Sequence, residues 1–269
     1  MDIARQLVSP HHPLWGMPFP HRPLGTGPRA LSGTAEGKWP GVSAQAWIRE
    51  GQLADRPPAD FGDARRVLVV TPHDDDLVGV GGLIQRATAA DVPVRLVTIC
   101  GRLADDANDA RRRSRNQAIT DLGIAWPKLQ YLGLPSGRLY EHERALTEGL
   151  RRLVRPGDLV VTTWWLDGCR DHEVAGRAAC VAAAPLDLPV WGAAVWLWHW
   201  ARPTNPIIPW SRVRAHWLSR EERTAKEAAL RTQRDGRVIG GPDDRILEPV
   251  RLKRSLNLPE MFMVGARRR

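Results

Sequence analysis

The most chemically loaded stretch of this 269-residue sequence is Thr71-Pro72-His73-Asp74-Asp75-Asp76, an imidazole followed by three consecutive carboxylates. Like charges at adjacent positions repel one another unless a cation sits among them, so the run is a candidate metal site. The plainer alternative is helix capping, since one Asp at such a place satisfies the free amides of a following helix. On this segment alone the two readings stand level. A second cluster, Asp167-Gly168-Cys169-Arg170-Asp171-His172-Glu173, also opens a helix. By itself Asp171 is an adequate N-cap there and His172 an ordinary first-turn residue. The two clusters together are a different matter. They supply two imidazoles plus carboxylates with open positions, the donor set of a catalytic zinc site. The same set, taken as His73, Asp75 and His172, also fits the facial triad of a non-haem iron oxygenase.

What must position these residues is a sheet. Val67 to Thr71 is a short β-branched run, the texture of a strand buried on both faces. Further strands are expected at 92–100, 129–134, 158–165 and 189–200, with helices at about 78–90, 107–122, 140–154, from near His172, and at 219–233. Strand and helix alternate, which predicts an α/β fold: one Rossmann-like domain whose mainly parallel sheet is flanked by helices. Both clusters then fall at carboxyl ends of strands, where ligands bind in such sheets. This counts against the iron oxygenase, a chemistry usually carried on an all-β jelly roll. It also raises a dinucleotide-binding alternative, because Gly79-Val80-Gly81-Gly82 opens a helix after a strand. That stretch is not a complete G-x-G-x-x-G, and the preceding carboxylates would repel a pyrophosphate.

Composition narrows the classes further. With 43% hydrophobic residues the chain can bury a proper core, and no run reaches the roughly 20 apolar residues of a membrane span. The first residues lack the basic flank and apolar core of a secretory signal, so a cytoplasmic protein is expected. Three cysteines, Cys100, Cys169 and Cys180, suggest neither a disulfide framework nor a four-thiolate zinc site. The net charge of +9 is arginine spread along the whole chain, densest in the C-terminal tail. No nucleic-acid-reading motif accompanies it, so no nucleic-acid partner is expected. Residues 1–64 are rich in Pro and Gly and hold Trp15, Trp39 and Trp47; they read as an irregular arm packed on an α/β domain of residues 65–269. Twelve tryptophans are many, and on a strand Trp196, Trp198 and Trp200 would share one face. Core packing is the default for that stripe, with an aromatic wall for a sugar as the sharper alternative.

His73-Asp74-Asp75-Asp76 resembles the His-Pro-Asp-Asp motif of the PIG-L/LmbE N-acetylglucosaminyl deacetylases, and Cys169-Arg170-Asp171-His172 resembles their His-Pro-Asp-His motif. Asp121 to Ile124, Gln130 to Leu134 and Lys226 to Gln233 also fall where that family has similar segments, so the resemblance spans about residues 66–263. It implies one zinc ion per chain held by His73, Asp76 and His172, with Asp75 as general base and Asp171 orienting its neighbours from behind. Arg111, Trp164 and Cys169 are the candidate substrate contacts. The implied activity is hydrolysis of the N-acetyl amide of a glucosamine-containing substrate, and with its tryptophans, Arg-rich coding and N-terminal arm the chain resembles the branch of the family that acts on glycopeptide-antibiotic precursors. The chain departs from the pattern at three positions, and the last of them alone suggests a further alternative, a degenerate, non-catalytic sugar-binding module. Asp74 replaces a proline, Leu77 replaces an acid, and Cys169 replaces a histidine thought to stabilise the oxyanion. His199 is a candidate to stand in for it.

Overall fold

The computed structural model describes residues 42–50, 53–101, 109–123, 129–235 and 256–265. Seven strands form one sheet in the order β3-β2-β1-β4-β5-β7-β6. These are β1 (Arg66–Thr71), β2 (Val94–Cys100), β3 (Leu129–Leu134), β4 (Asp158–Thr163), β5 (Val190–Ala193), β6 (Val213–His216) and β7 (Glu260–Val264). The first five run parallel, as expected. Along β1, Leu68 and Val70 enter the core on one face of the sheet while Val67 and Val69 enter the other. That is the period-2 alternation of a strand covered on both sides.

Three strands, β5, β6 and β7, depart from the sequence expectation. Residues 189–200 are not one strand: β5 stops at Ala193, and Leu197–Trp200 forms a helical turn. Beyond β5 the sheet continues through two unexpected strands, with β7 antiparallel to both β5 and β6. Trp196, Trp198 and Trp200 therefore do not line one strand face. Trp198 is buried, its indole N–H donating to the Ala194 carbonyl at 2.9 Å.

The helices are α1 (Ala44–Arg49), α2 (Asp76–Gly79), α3 (Gly81–Ala89), α4 (Asp109–Asp121), α5 (Glu143–Arg151), α6 (Arg170–Ala183), α7 (Leu197–Trp200) and α8 (Arg220–Asp235). The Gly-rich stretch serves packing. A Cβ on Gly81 would lie 2.7 Å from a Leu122 methyl, and one on Gly82 would lie 2.1 Å from a Leu218 methyl. The first-turn amides of α3 are already taken, since Gly82 and Leu83 each donate to the Glu260 carboxylate at 2.8 Å. A pyrophosphate would meet a buried carboxylate there, which removes the dinucleotide alternative. Glu260 is paired in turn with the buried Lys226 of α8 at 2.6 Å.

The described end of the N-terminal segment is fixed to the rest of the chain. Ser43 caps α1, its hydroxyl accepting from the Ala46 amide at 3.1 Å. Trp47 is wholly buried and meets Trp198 edge-on, with ring centroids 4.9 Å apart. Beyond it, residues 57–59 bond along β6 through Ala215. Trp15, Trp39 and the basic C-terminal tail lie outside the described residues. No helix among the described residues is long and apolar enough to cross a membrane.

Candidate active site

In a sheet of this order the crossover direction reverses between β1 and β4, and that switch point opens a crevice at their carboxyl ends. Both clusters emerge there. His73 to Asp76 follow Thr71 at the end of β1, and Asp167 to His172 follow Thr163 at the end of β4. Helix α6 presses onto the end of β4: a Cβ on Gly176 would come within 2.6 Å of the Thr163 carbonyl oxygen. The Thr163 hydroxyl donates to the His172 carbonyl at 2.9 Å, fixing the first turn of α6 over the crevice.

His172 is 1% exposed. Its Nδ1 lies 2.7 Å from Asp167 Oδ2, and its Nε2 lies 3.2 Å from Asp76 Oδ1. The Asp167 carboxylate is itself held by three backbone N–H groups, those of Val195 at 3.1 Å, Trp196 at 2.8 Å and Leu197 at 2.9 Å. In the neutral ring with Nδ1 donating to Asp167, Nε2 would present a lone pair to a carboxylate oxygen. Two acceptors at that distance require a proton or a metal cation between them. Burial disfavours charge on His172, but its neighbours Asp76 and Cys169 and the Asp167 bond outweigh it and raise its pKa well above the usual imidazole value. Burial likewise opposes ionisation of Asp76, yet His172, His73 and the His73 amide bond at 3.0 Å lower its pKa. The crevice is thus built to hold positive charge.

The expected trio of His73, Asp76 and His172 is brought to this crevice, but the His73 ring does not join the other two. His73 meets Asp76 through its backbone amide, while its Nε2 lies 3.5 Å from Asp171 Oδ2. Among the described residues, the set of three possible donors within 4.8 Å of one another is His73, Cys100 and Asp171. Asp171 accepts the amides of Gly137 at 2.6 Å and Leu139 at 3.3 Å, tying α6 to the loop after β3. It therefore sits behind His73, and the residue behind His172 is Asp167, to which the sequence reading assigned no role.

Asp75 is half-buried on the turn after β1, its carbonyl accepting the Val78 amide at 3.2 Å. Asp74, in place of the usual proline, accepts the Tyr131 hydroxyl of β3 at 2.7 Å, so the extra charge has a fixed donor. Leu77 packs into the core, where an acid would be desolvated. Cys169 is half-buried at the N-cap of α6, with its carbonyl accepting the Glu173 amide at 3.0 Å. Trp164 corrects the sequence reading. It is 0% exposed within the core, so it offers no surface to a substrate. The side chains of Arg111 and His199 lie outside the described part of the structure.

Asp167→Asn keeps the shape of the residue that orients His172 but removes its charge. If the crevice holds zinc through His172, a 10- to 100-fold weaker hold on the metal is expected, in the range found for partners of metal-ligating histidines. Competition with a chromophoric chelator measures it, and an unchanged affinity would contradict the role given to Asp167.

Residues 68–183 match PIG-L, the GlcNAc-PI de-N-acetylase family. The resemblance read from the two motifs is thereby shown over that segment. No curated protein sequence gives a significant match. Among solved structures, a triple mutant of a deacetylase of the teicoplanin biosynthetic pathway superposes with a TM-score of 0.55 at 16% identity, over 76% of this chain and 98% of that one. The zinc-inhibited form of teicoplanin deacetylase gives 0.54 at 17% identity, over the same shares of the two chains. The deacetylase of the A40926 pseudoaglycone gives 0.53 at 19% identity, over 77% of this chain and all of that one. At such identities these structures establish a shared fold.

Proposed function

We propose that this chain is a zinc-dependent amidohydrolase of the PIG-L/LmbE kind, removing the N-acetyl group of a glucosamine-containing substrate. The observation that carries the reading is the pair Asp76 Oδ1 and His172 Nε2, two facing ligand atoms 3.2 Å apart and buried at the switch point. Tetrahedral coordination by nitrogen and oxygen at about 2.0–2.1 Å separates donors by about 3.4 Å, so the pair already has nearly the needed spacing. In this reading His73 completes the set once its ring turns away from Asp171, giving one zinc per chain. When bound, zinc supplies Lewis acidity to the acyl carbonyl and lowers the pKa of a water molecule to about 7.

The remaining work falls to the chain's own residues. Asp75, adjacent to a ligand yet half-exposed, takes the proton of the attacking water and returns it to the departing nitrogen. The products are a free amine and acetate. Asp167 and Asp171 hold His172 and His73 in orientation. Cys169 sits at the N-cap of α6, three residues before His172, and a thiol is a poor donor to an oxyanion. Arg111 remains the proposed cationic contact to substrate.

For the carrier of the amino sugar, we favour a glycopeptide. The teicoplanin and A40926 enzymes share the fold over nearly their whole length. Trp196 and Trp200, both partly exposed, flank the Asp167 loop, and the Trp200 indole donates to the Asp167 carbonyl at 2.7 Å. No observation favours the iron oxygenase or the non-catalytic module, and a parallel α/β sheet is not the scaffold of the former. The test is acetate release from a simple N-acetylglucosaminide and from an N-acetylglucosaminyl glycopeptide. Activity abolished by a chelator and restored by zinc is expected, with the larger substrate preferred. No acetate from either substrate with zinc-loaded protein would end the reading.

A further inference from the structure

The set His73, Cys100 and Asp171 differs from the one the chemistry above draws on, which joins His73 with Asp76 and His172, uses Asp171 only to orient His73 and gives Cys100 no part. Cys100 is the last residue of β2, buried and not in a disulfide. Its backbone N–H donates to the Pro72 carbonyl at 2.9 Å, which pins the thiol beside the residue following Pro72, His73. Asp171 approaches from the first turn of α6, fixed by the Gly137 and Leu139 amides. The three side chains thus come from the ends of three elements, and each is anchored by backbone hydrogen bonds to its neighbours. The ligating atoms lie within 4.8 Å of one another, and the His73 Nε2 to Asp171 Oδ2 edge is 3.5 Å. A tetrahedral site with sulfur at about 2.3 Å and nitrogen or oxygen at about 2.0–2.1 Å has edges of about 3.4–3.6 Å. One edge is therefore already formed, and the others close with movements of about an ångström.

We propose that Cys100, His73 and Asp171 form a second metal position, for a borderline-soft divalent cation of the zinc class, that overlaps the first and competes with it for His73. The donor chemistry sets the preference. A thiolate, an imidazole and one carboxylate suit zinc, cobalt or cadmium and disfavour magnesium or calcium. Filling the position releases the thiol proton of Cys100 to solvent. One imidazole serves two sets of partners, so the position between Asp76 and His172 loses its third ligand whenever this one is filled.

The proposal rests on the metal-binding reading of the crevice, and cobalt(II) keeps the two apart because it reports binding and sulfur ligation through different bands. Titrating the full chain with cobalt is expected to give visible ligand-field bands together with a thiolate-to-cobalt charge-transfer band in the near ultraviolet. Cys100→Ser should retain the ligand-field bands and lose the charge-transfer band. Cys169→Ser, which removes the other cysteine at the crevice, should keep both. Ligand-field bands without charge transfer in the wild type would overturn the second position and leave the first intact. Loss of charge transfer in Cys169→Ser with retention in Cys100→Ser would also overturn it, by assigning the sulfur to the other thiol. Absence of both bands would overturn both positions.

Discussion

Asp75→Asn is expected to lower turnover by about 10²- to 10⁴-fold while zinc content and thermal stability stay at wild-type values. The amide matches the carboxylate in shape but cannot accept a proton from water, and a positioned acid or base contributes about that factor. The loss corresponds to about 3–5 kcal/mol of barrier. The prediction separates two adjacent carboxylates. Asp76 is buried against His172 and bound to the His73 amide, whereas Asp75 is half-exposed. Asp76→Asn should therefore lose metal, and Asp75→Asn should not. Steady-state kinetics alongside elemental analysis of both variants decides it. Loss of zinc in Asp75→Asn, with retention in Asp76→Asn, would exchange the two roles.

Lys226→Met is expected to destabilise the fold by about 3–5 kcal/mol, because it leaves Glu260 charged and buried without its partner. Lys226 and Glu260 are both nearly inaccessible to solvent and lie 2.6 Å apart. Glu260 still has the two amides at the start of α3, but these neutral donors do not replace a full positive charge. For a chain of this size the loss corresponds to a fall in Tm of about 6–20 °C. The double change Lys226→Met with Glu260→Gln should recover part of it, since no unpaired charge is then buried. The pair also touches the site from behind. Lys226 Nζ lies 3.4 Å from the Gly79 carbonyl at the end of α2, the short helix that begins at Asp76. Thermal denaturation of the three proteins reads the effect. A fall equivalent to less than about 1 kcal/mol in the single variant would show the pair to be no more than a surface-like ion pair.

The central parallel strands were legible because each is a run of β-branched residues long enough to be buried on both faces, as in Val67 to Thr71 or Leu159 to Thr163. The antiparallel edge was not. Val213–His216 is only four residues long, and Glu260–Val264 opens on a glutamate whose partners lie 34 residues away at Lys226 and 177–178 away at Leu83 and Gly82. Residues 189–200 look like one strand because tryptophans alternate there. The chain turns at 195–197 because the Asp167 carboxylate takes three successive amides, 28–30 positions away in sequence. No local pattern encodes such a bond. The same bond explains how the site was half legible. Two strand-end clusters predicted which elements converge, and Asp76 and His172 do meet. Which carboxylate stands behind which histidine depends on the turns after β3 and β5, so the supporting role given to Asp171 alone is divided between Asp167 and Asp171. Cys100 had looked like one of three scattered thiols, since only the pairing of β2 beside β1 sets it next to His73.

Zinc content per chain, measured for the wild type and for His172→Ala after purification without chelator, tests the central claim most directly. About one zinc per chain is expected in the wild type, because Asp76 and His172 face one another, buried, at nearly the spacing of two ligands of one tetrahedral ion. In His172→Ala the zinc between Asp76 and His172 is expected to be lost, so that any metal remaining is held through Cys100 and disappears when Cys100→Ser is added. No zinc in the wild type after incubation with the metal, or full occupancy in the His172→Ala, Cys100→Ser double variant, would contradict the claim.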